Sequence, residues 1–306
     1  MANEVTDIII VGAGTAGLTA AIYAGRAGSS ILLFEQSIHG GQIINTPHVE
    51  NFPGVGKVAG YEFASALYDQ AMSFGAQIQY ERVTDVQFDG GRFVVTTDKG
   101  SYAAKSVILA TGAKPRPLGV AGEEKYVGRG ISFCATCDGA FYRGKTVAVV
   151  GGGNTALEDA MVLANLAQKV YLIHRRAEFR AEKQLINRLA KYTNIQLVLD
   201  TVITELKGTA RIEGIEVVNK ITNATVSIAL DGIFVAIGQM PDNQAFAHVV
   251  ELDANGYIVA GEDCTTITPG VFAAGDGRTK RIRQLTTAAA DGTIAALAAV
   301  DFAEAR

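Results

Sequence analysis

The feature that most constrains this chain is a strand, glycine-rich loop and helix pattern that occurs twice. An apolar run at 7–11 leads into GAGTAG at 12–17 and then into a helix-forming segment. A second run at 145–150 leads in the same way into GGGNTA at 151–156. Short continuous apolar runs are typical of strands buried on both faces, and with the loop and helix they indicate dinucleotide-binding units. The sequence therefore predicts an α/β chain with two such units.

The first loop has the composition of a pyrophosphate site. Gly12, Gly14 and Gly17 allow a tight turn and a close approach of the backbone, and the pyrophosphate then lies at the positive end of the helix. A further apolar run at 31–34 ends at Glu35, 23 residues after Gly12. An acid at about this distance is expected to bind a ribose hydroxyl.

The second loop repeats this spacing with the opposite charge. The next apolar run ends at His174, which again lies 23 residues after Gly151. Guanidinium groups follow at this point, and they are suited to a 2′-phosphate, so the second site is predicted to bind NADPH. Its predicted contacts are Gly151, Gly153, Asn154, Thr155, Ala156, His174, Arg175, Arg176 and Arg180.

The order of the segments predicts that the second unit is inserted into the first. Both units close with a similar segment, which ends at Gly112 in one and Gly238 in the other. The tail then returns to an apolar strand, TPGVFAAGD, which ends at Asp276 and is too short for a separate domain. We predict two Rossmann-like, three-layer ββα domains, at 1–117 with 246–306 and at 118–245. Two short connections containing proline would form a hinge.

Cys134-Ala135-Thr136-Cys137-Asp138 lies between the two loops. Its C-x-x-C pattern fits a redox disulfide, half of a zinc site or two inert thiols. Zinc requires four ligands, and the four histidines, at 39, 48, 174 and 248, are not paired at ligand spacing, so no metal is expected. A small, polar segment suits accessible thiols, and Asp138 could supply the proton of an exchange reaction. Cys264 has no partner in the sequence and is expected to be structural.

Charge and composition exclude several classes of protein. The net charge of −4 gives no reason to expect nucleic acid or an anionic membrane as partner. The N-terminus carries acids where a signal peptide would be basic, and no run approaches about 18 apolar residues. We therefore expect a soluble, cytoplasmic protein without a membrane partner.

Taken in order, the motifs GxGxxG, GGQ, ENFPG, ATG, CATCDG, GGGNTA, HRRxxxR and AAGD…RQ closely resemble the low-molecular-weight bacterial thioredoxin reductases. The resemblance runs almost end to end. It implies a homodimer that moves electrons from NADPH through FAD to a Cys134–Cys137 disulfide and on to thioredoxin. It also implies that Cys137 lies next to the flavin, that Cys134 meets thioredoxin and that Asp138 is the acid. The FAD contacts that it implies are Gly12, Gly14, Gly17, Glu35, Gly40, Gly41, Gln42, Asn51, Asp276, Arg283 and Gln284.

One departure from the family pattern is the segment GRTKRI, between Asp276 and Arg283, which is more basic than expected. It puts the local flavin or partner contacts in question, but not FAD itself. Because nicotinamide and the disulfide both need the flavin and both belong to the inserted domain, we expect that domain to rotate between half-reactions.

Three alternatives stay open. A peroxiredoxin-linked reductase is expected to carry an extra N-terminal redox domain, whereas this chain begins at the first FAD strand. Ferredoxin-dependent relatives lack the GxGxxA and HRR features that are present here. The third alternative is a non-catalytic flavoprotein that acts as a redox sensor.

Overall fold

The structure is a computed structural model, and it describes residues 5–46 and 48–306. The chain divides into two compact units, the first formed by Met1–Lys114 with Met240–Arg306 and the second by Pro115–Gln239. The boundaries at 114 and 239 lie a few residues before the predicted ones at 117 and 245.

The helices and strands alternate in the order expected of an α/β chain. The strands are β1 (Thr6–Val11), β2 (Ile31–Glu35), β3 (Gln77–Tyr80), β4 (Val83–Asp89), β5 (Arg92–Thr97), β6 (Ser101–Leu109), β7 (Lys114–Pro115), β8 (Ile131–Ser132), β9 (Thr146–Val150), β10 (Lys169–Ile173), β11 (Ile195–Val198), β12 (Thr201–Gly208), β13 (Ile212–Asn219), β14 (Thr225–Ala229), β15 (Gly232–Val235), β16 (Gln239–Met240) and β17 (Val271–Ala273). The helices are α1 (Thr15–Arg26), α2 (Gly60–Ser73), α3 (Ala135–Asp138), α4 (Asn154–Ala164), α5 (Lys183–Leu189) and α6 (Leu285–Glu304).

The first unit has three layers. Its sheet has the order β3-β2-β1-β6, all parallel, and β6 continues into the antiparallel strands β5 and β4 and also pairs with β17. Ile8 and Ile10 pack in a core on the side of α1 and α6, while Ile9 packs in a core with residues of β4 and β5. Burial on both faces explains why this strand is a continuous apolar run.

The second unit repeats the arrangement. Its parallel sheet has the order β11-β10-β9-β15-β8, and an antiparallel sheet, β12-β13-β14, supplies the third layer. Val147 and Val149 pack towards α4, whereas Ala148 packs in the core that contains Ile215. The predicted fold class, two three-layer dinucleotide-binding units, is confirmed.

The tail of the chain completes the first unit. Its strand, β17, ends at Ala273 and is followed by a 3-10 turn at Gly275–Gly277. Asp276 therefore lies on a turn and does not end the strand, as the sequence had predicted. The two connections between the units, β7 and β16, pair with each other in a two-stranded sheet.

Helix α6 tests the expectation that the chain has no membrane span. Within the described ranges it is the one helix long and apolar enough to cross a membrane by length and composition. The prediction from uninterrupted apolar runs missed this helix. It packs on α1, β6 and β17, and a Cβ at Gly292 would overlap the carbonyl oxygen of Ala16 on α1. Such close packing is the behaviour of a core helix.

Candidate functional site

The first glycine loop opens on a cavity of about 340 Å³ within the first unit. Its walls are the loop, the end of β2, the turn at Gly40–Gly41, the turn at Gly275–Asp276 and the start of α6. The predicted FAD contacts that line it are Gly12, Gly14, Glu35, Gly40, Gly41, Gln42, Asp276 and Gln284. Gly17, Asn51 and Arg283 are not among its lining residues.

Packing explains two of the loop glycines. Gly12 has φ +104°, and a Cβ there would overlap the carbonyl oxygen of Ala110 at the end of β6. At Gly17 a Cβ would overlap the carbonyl oxygen of Gly12. Gly17 therefore serves the close turn between strand and helix and has no place in the cavity wall.

Glu35 holds the loop as well as facing the cavity. Its Oε2 accepts a hydrogen bond from the Ala13 N–H at 3.1 Å, and its Oε1 accepts one from the Ser37 N–H at 2.9 Å. The carboxylate thus fixes the glycine loop at the point where the sequence predicts a ribose contact.

Asp276 has a buried Oδ1 without a hydrogen-bond partner among the described residues. Burial raises the pKa of this carboxyl, and Lys280 and Arg283 offset part of the increase. The Arg283 guanidinium stacks on Tyr257, 4.2 Å from the ring centre, and Asn51 Nδ2 donates to Gln284 Oε1 at 3.3 Å. A buried acceptor that lacks a donor, in a glycine-walled cavity, fits a hydroxyl-bearing dinucleotide such as FAD.

The basic segment that departs from the family pattern is partly internal. Arg278 donates to both carboxylate oxygens of Asp291, at 2.8 and 2.7 Å, and Lys280 Nζ donates to Asp291 Oδ2 at 2.8 Å. The same oxygen accepts the N–H of Gly275 at 2.9 Å. Less than a tenth of each of the three charged side chains is exposed. Arg278 and Lys280 therefore brace the turn that carries Asp276, and they do not form a basic surface.

The second glycine loop is shaped by His174. A Cβ at Gly152 would overlap the imidazole ring, which stacks on Phe179 with the ring centres 5.5 Å apart. Burial, together with Arg176, Arg175 and Arg180, lowers the pKa of His174 even though its ring contacts the Glu178 carbonyl at 3.1 Å. The imidazole is therefore neutral near pH 7 and forms a wall of the loop, whereas the sequence had predicted a direct cofactor contact.

The segment after His174 is tied to the same loop. The Arg180 N–H donates to the Gly152 carbonyl at 2.7 Å. Asn154 Nδ2 donates to Glu182 Oε1 and Asn154 Oδ1 accepts the Glu182 N–H, both at 2.9 Å. These contacts hold the arginine-bearing segment against the phosphate loop.

The predicted 2′-phosphate ligands stay free for a ligand. Arg175, Arg176 and Arg180 are exposed, and within residues 5–46 and 48–306 none has a carboxylate at ion-pair distance. Thr155 is exposed at the start of α4, whereas Ala156 is buried and packs under the loop.

Cys134 and Cys137 form a disulfide in the second unit. Cys134 precedes α3, and its Sγ accepts the N–H of Cys137 at 3.2 Å and lies 3.3 Å from Thr136 Oγ1. Hydrogen-bond donors around a sulfur stabilise its thiolate, so the surroundings favour Cys134 as the nucleophile.

Asp138 follows the disulfide directly and is held by Ser132. The Ser132 hydroxyl donates to Asp138 Oδ2 at 2.6 Å, whereas Oδ1 is buried and has no hydrogen-bond partner in the described chain. Burial raises the pKa of Asp138, and the hydrogen bond from Ser132 offsets part of that increase. A carboxyl with a raised pKa is suited to carry a proton.

The third cysteine has no access to this chemistry. Cys264 is fully buried in the core of the first unit, and burial, with a smaller contribution from Asp291, raises its pKa to about 11. Over the described ranges no three His, Cys, Asp or Glu side chains converge as metal ligands would.

Sequence reasoning missed Ser132, Glu182 and Phe179. Each acts through a partner that spacing alone does not reveal, because Ser132 lies six residues before Asp138 and Glu182 lies 28 residues after Asn154. A signal was present only for Ser132, a small hydroxyl beside the cysteine motif.

Comparisons with known proteins place this geometry in context. The family described as pyridine nucleotide-disulphide oxidoreductase matches residues 6–292. A thioredoxin reductase of Treponema pallidum (strain Nichols) is 42% identical over 297 residues, 97% of this chain and 96% of that one. One from Peptoclostridium acidaminophilum is 42% identical over 310 residues, 99% and 98% of the two chains. The crystal structure of thioredoxin reductase from Streptococcus pyogenes MGAS5005 gives a TM-score of 0.93 at 38% identity, with 100% of each chain covered.

Proposed function

The chain belongs to the pyridine nucleotide-disulphide oxidoreductase family, and we propose that it is an NADPH-dependent thioredoxin-disulfide reductase. The observation that carries the proposal is the Cys134–Cys137 disulfide, which lies in the same unit as the second glycine loop and directly before Asp138. The relatives that share the whole length of the chain are named for this activity.

The chain uses two dinucleotides. FAD would be held in the cavity of the first unit by Gly12, Gly14, Glu35 and Asp276, and bound there it supplies the two-electron chemistry that side chains lack. NADPH would lie on the loop at 151–153, with its 2′-phosphate on Arg175 and Arg176. Glu35 and the two arginines occupy matching positions, so charge assigns the two cofactors to the two loops.

The thiols transfer electrons to thioredoxin by exchange. The Cys134 thiolate attacks one sulfur of the thioredoxin disulfide, which forms a mixed disulfide and releases one thioredoxin thiolate. The Cys137 thiolate then attacks Cys134 Sγ, which restores the Cys134–Cys137 bond and releases the second thiolate. Asp138 takes the proton of the Cys137 thiol and returns it to a leaving sulfur. The protons of both cysteine thiols thus end on thioredoxin.

A rotation of the second unit between half-reactions forms part of the proposal. The disulfide and the NADPH loop both belong to that unit, and β7 and β16 are its two connections to the first unit. A cross-link that locks the units with the disulfide at the flavin should block flavin reduction by NADPH and spare electron exchange with the dithiol. Normal turnover of the locked enzyme would exclude rotation.

Steady-state turnover with thioredoxin tests the proposed function. Purified holoenzyme should oxidise NADPH when oxidised thioredoxin is present, much more slowly use NADH, and not use reduced ferredoxin. Turnover with a peroxiredoxin but not thioredoxin would favour the peroxiredoxin-linked alternative. Absence of turnover with every acceptor, despite bound FAD, would leave the redox sensor.

We also infer a cytoplasmic homodimer without a membrane partner. Tyr23 on α1 and Ile294 and Leu297 on α6 expose more than a third of their surface, which would suit a subunit contact. Light scattering of the purified holoenzyme should give twice the mass of one chain, and Leu297→Glu should lower it. A monomer at micromolar concentration would contradict the dimer.

A further inference from the structure

Ser132 is a buried hydroxyl between the redox disulfide and the acid, and the exchange chemistry above does not use it. Only 6% of the residue is exposed. Its Oγ accepts the N–H of Cys134 at 3.1 Å, which occupies a lone pair and turns the hydroxyl hydrogen away. That hydrogen has two acceptors in reach, Asp138 Oδ2 at 2.6 Å and the Cys134 carbonyl at 3.4 Å. The shorter contact decides the direction, so Ser132 donates to Asp138.

We propose that Ser132 is a positioning residue that ties Asp138 Oδ2 and thereby directs the proton to Oδ1 for delivery to the exchanging sulfurs. This inference rests on the proposed disulfide exchange. Oδ2 is occupied by a donor in the charged form, whereas Oδ1 is buried and has no donor among the described residues. An oxygen that lacks a donor is the better place for a proton.

The same hydroxyl couples the acid to the nucleophile. Because Ser132 bridges the Cys134 N–H and the Asp138 carboxylate, it fixes the segment before the disulfide relative to the acid after it. The carboxylate therefore keeps one orientation while the S–S bond breaks and forms. Without the bridge, Asp138 could turn either oxygen towards the sulfurs and would be a weaker proton donor at the right atom.

Other titratable groups near this segment must be separated from Asp138. Tyr142 follows on the next turn, and burial, Asp138 and Asp231 raise its pKa to about 12, so it stays neutral. Helix α4 packs on α3, and on it burial and then Glu158 raise the pKa of Asp159 to about 7. Asp159 could therefore add its own limb to a pH profile. An Asp159→Asn background removes that contribution.

The test compares Ser132→Thr, which keeps a hydroxyl, with Ser132→Val, which has the same shape without it, and with Ser132→Ala. Reoxidation of the reduced enzyme by thioredoxin is measured against pH by stopped flow. We expect Val and Ala to slow it roughly tenfold and to move the apparent pKa upward by about one unit, as for one lost hydrogen bond to a carboxylate. Thr should restore both values.

Two further measurements keep the test decisive. Flavin reduction by NADPH serves as the folding check and should stay within about twofold in every variant, the size of a small surface effect. In an Asp138→Asn background, Ser132→Ala should cause no further loss, because the two side chains act as one unit. An unchanged pH profile in Ser132→Ala, or additive losses in the double variant, would overturn the proposal. If wild-type enzyme fails to reduce thioredoxin, the proposed function fails instead. A fold lost in all three variants would show a purely structural role and overturn it too.

Discussion

The two dinucleotide units share a fold and a loop spacing, yet they build the third wall of the site differently. In the first unit the loop is closed by residues from the far end of the chain, the turn at Gly275–Asp276 and the start of α6. In the second the loop is closed by the next segment along the chain, which Arg180 and Glu182 tie back to it. A wall braced by long-range contacts suits a resident cofactor, and a local wall edged by exposed arginines suits one that comes and goes.

The charged residues repeat this contrast. Glu35 in the first unit is engaged with backbone N–H groups on both sides. Arg175 and Arg176 in the second stand in solvent. The same position in the repeat thus holds a fixed group in one unit and a mobile, ligand-seeking pair in the other.

The largest expected effect removes the chemistry from the second unit and leaves both cofactor sites intact. Cys134→Ser and Cys137→Ser should each lower thioredoxin reduction by more than about a thousandfold, as loss of a covalent nucleophile does. Flavin reduction by NADPH should persist. Non-reducing gels check the roles, since Cys137→Ser should trap a mixed disulfide with thioredoxin through Cys134. Trapping by Cys134→Ser alone would reverse the assignment.

The next prediction breaks only the first unit. Asp291→Asn leaves Arg278 and Lys280 buried without their counter-charge, which should cost about 3–5 kcal/mol of unfolding free energy. Thermal unfolding and FAD retention should fall together. The matched control is Asp7→Asn, whose partially exposed pair with Lys105 should contribute at most about 1 kcal/mol. Equal losses in the two variants would contradict the role of the cluster.

Acid should reveal the same cluster. Burial alone would raise the pKa of Asp291, but hydrogen bonds from Arg278 and Lys280 outweigh it and hold the pKa below its usual value. A lowered pKa in the folded state gives stability that is present above the unfolded value, about 3.9, and is lost as pH falls through the folded one. Wild type should therefore lose unfolding free energy below about pH 4 more steeply than Asp291→Asn.

A third prediction breaks cofactor choice in the second unit. Arg175→Ala combined with Arg176→Ala should raise the KM for NADPH more than tenfold, because each charge-assisted contact to a phosphate contributes about 1.5–3 kcal/mol. The KM for NADH, which lacks the 2′-phosphate, should hardly change. Equal effects on the two nucleotides would show that these arginines do not bind it.

The smallest effect sharpens the comparison within one loop. Gly152→Ala should lower the unfolding free energy by about 1–3 kcal/mol, since its methyl group overlaps the His174 ring. Gly153→Ala meets nothing within 4 Å, and at the start of α4 it should cost less than about 1 kcal/mol. Thermal unfolding of the pair measures the difference. Similar values would mean that His174 yields and does not wall the loop.

Local pattern predicted much of this architecture. Buried strands read as apolar runs, the loops follow from glycine spacing, and the disulfide follows from C-x-x-C, so the fold class and the redox pair were visible. The FAD and NADPH contacts stay predictions, although most of the FAD set lines one cavity.

The remainder depends on contacts between residues distant in sequence. GRTKRI looked like a surface feature because nothing in the sequence shows that Asp291, in the interior of α6, would neutralise two of its charges. His174 looked like a ligand because of its offset, and only packing against Gly152 shows that it is a wall. Burial decides such roles, and periodicity does not report burial of individual polar side chains.

The seclusion of Cys264 turns the folded chain into its own redox gauge. The chain has three cysteines, and this one is fully buried with a pKa of about 11, so an alkylating reagent near neutral pH should not reach it. The number of labelled sulfurs in native protein should then be zero when the pair is oxidised and two when it is reduced. A third label should appear only on unfolding. Mass spectrometry of alkylated enzyme would thus report electron occupancy and integrity of the first unit in one spectrum.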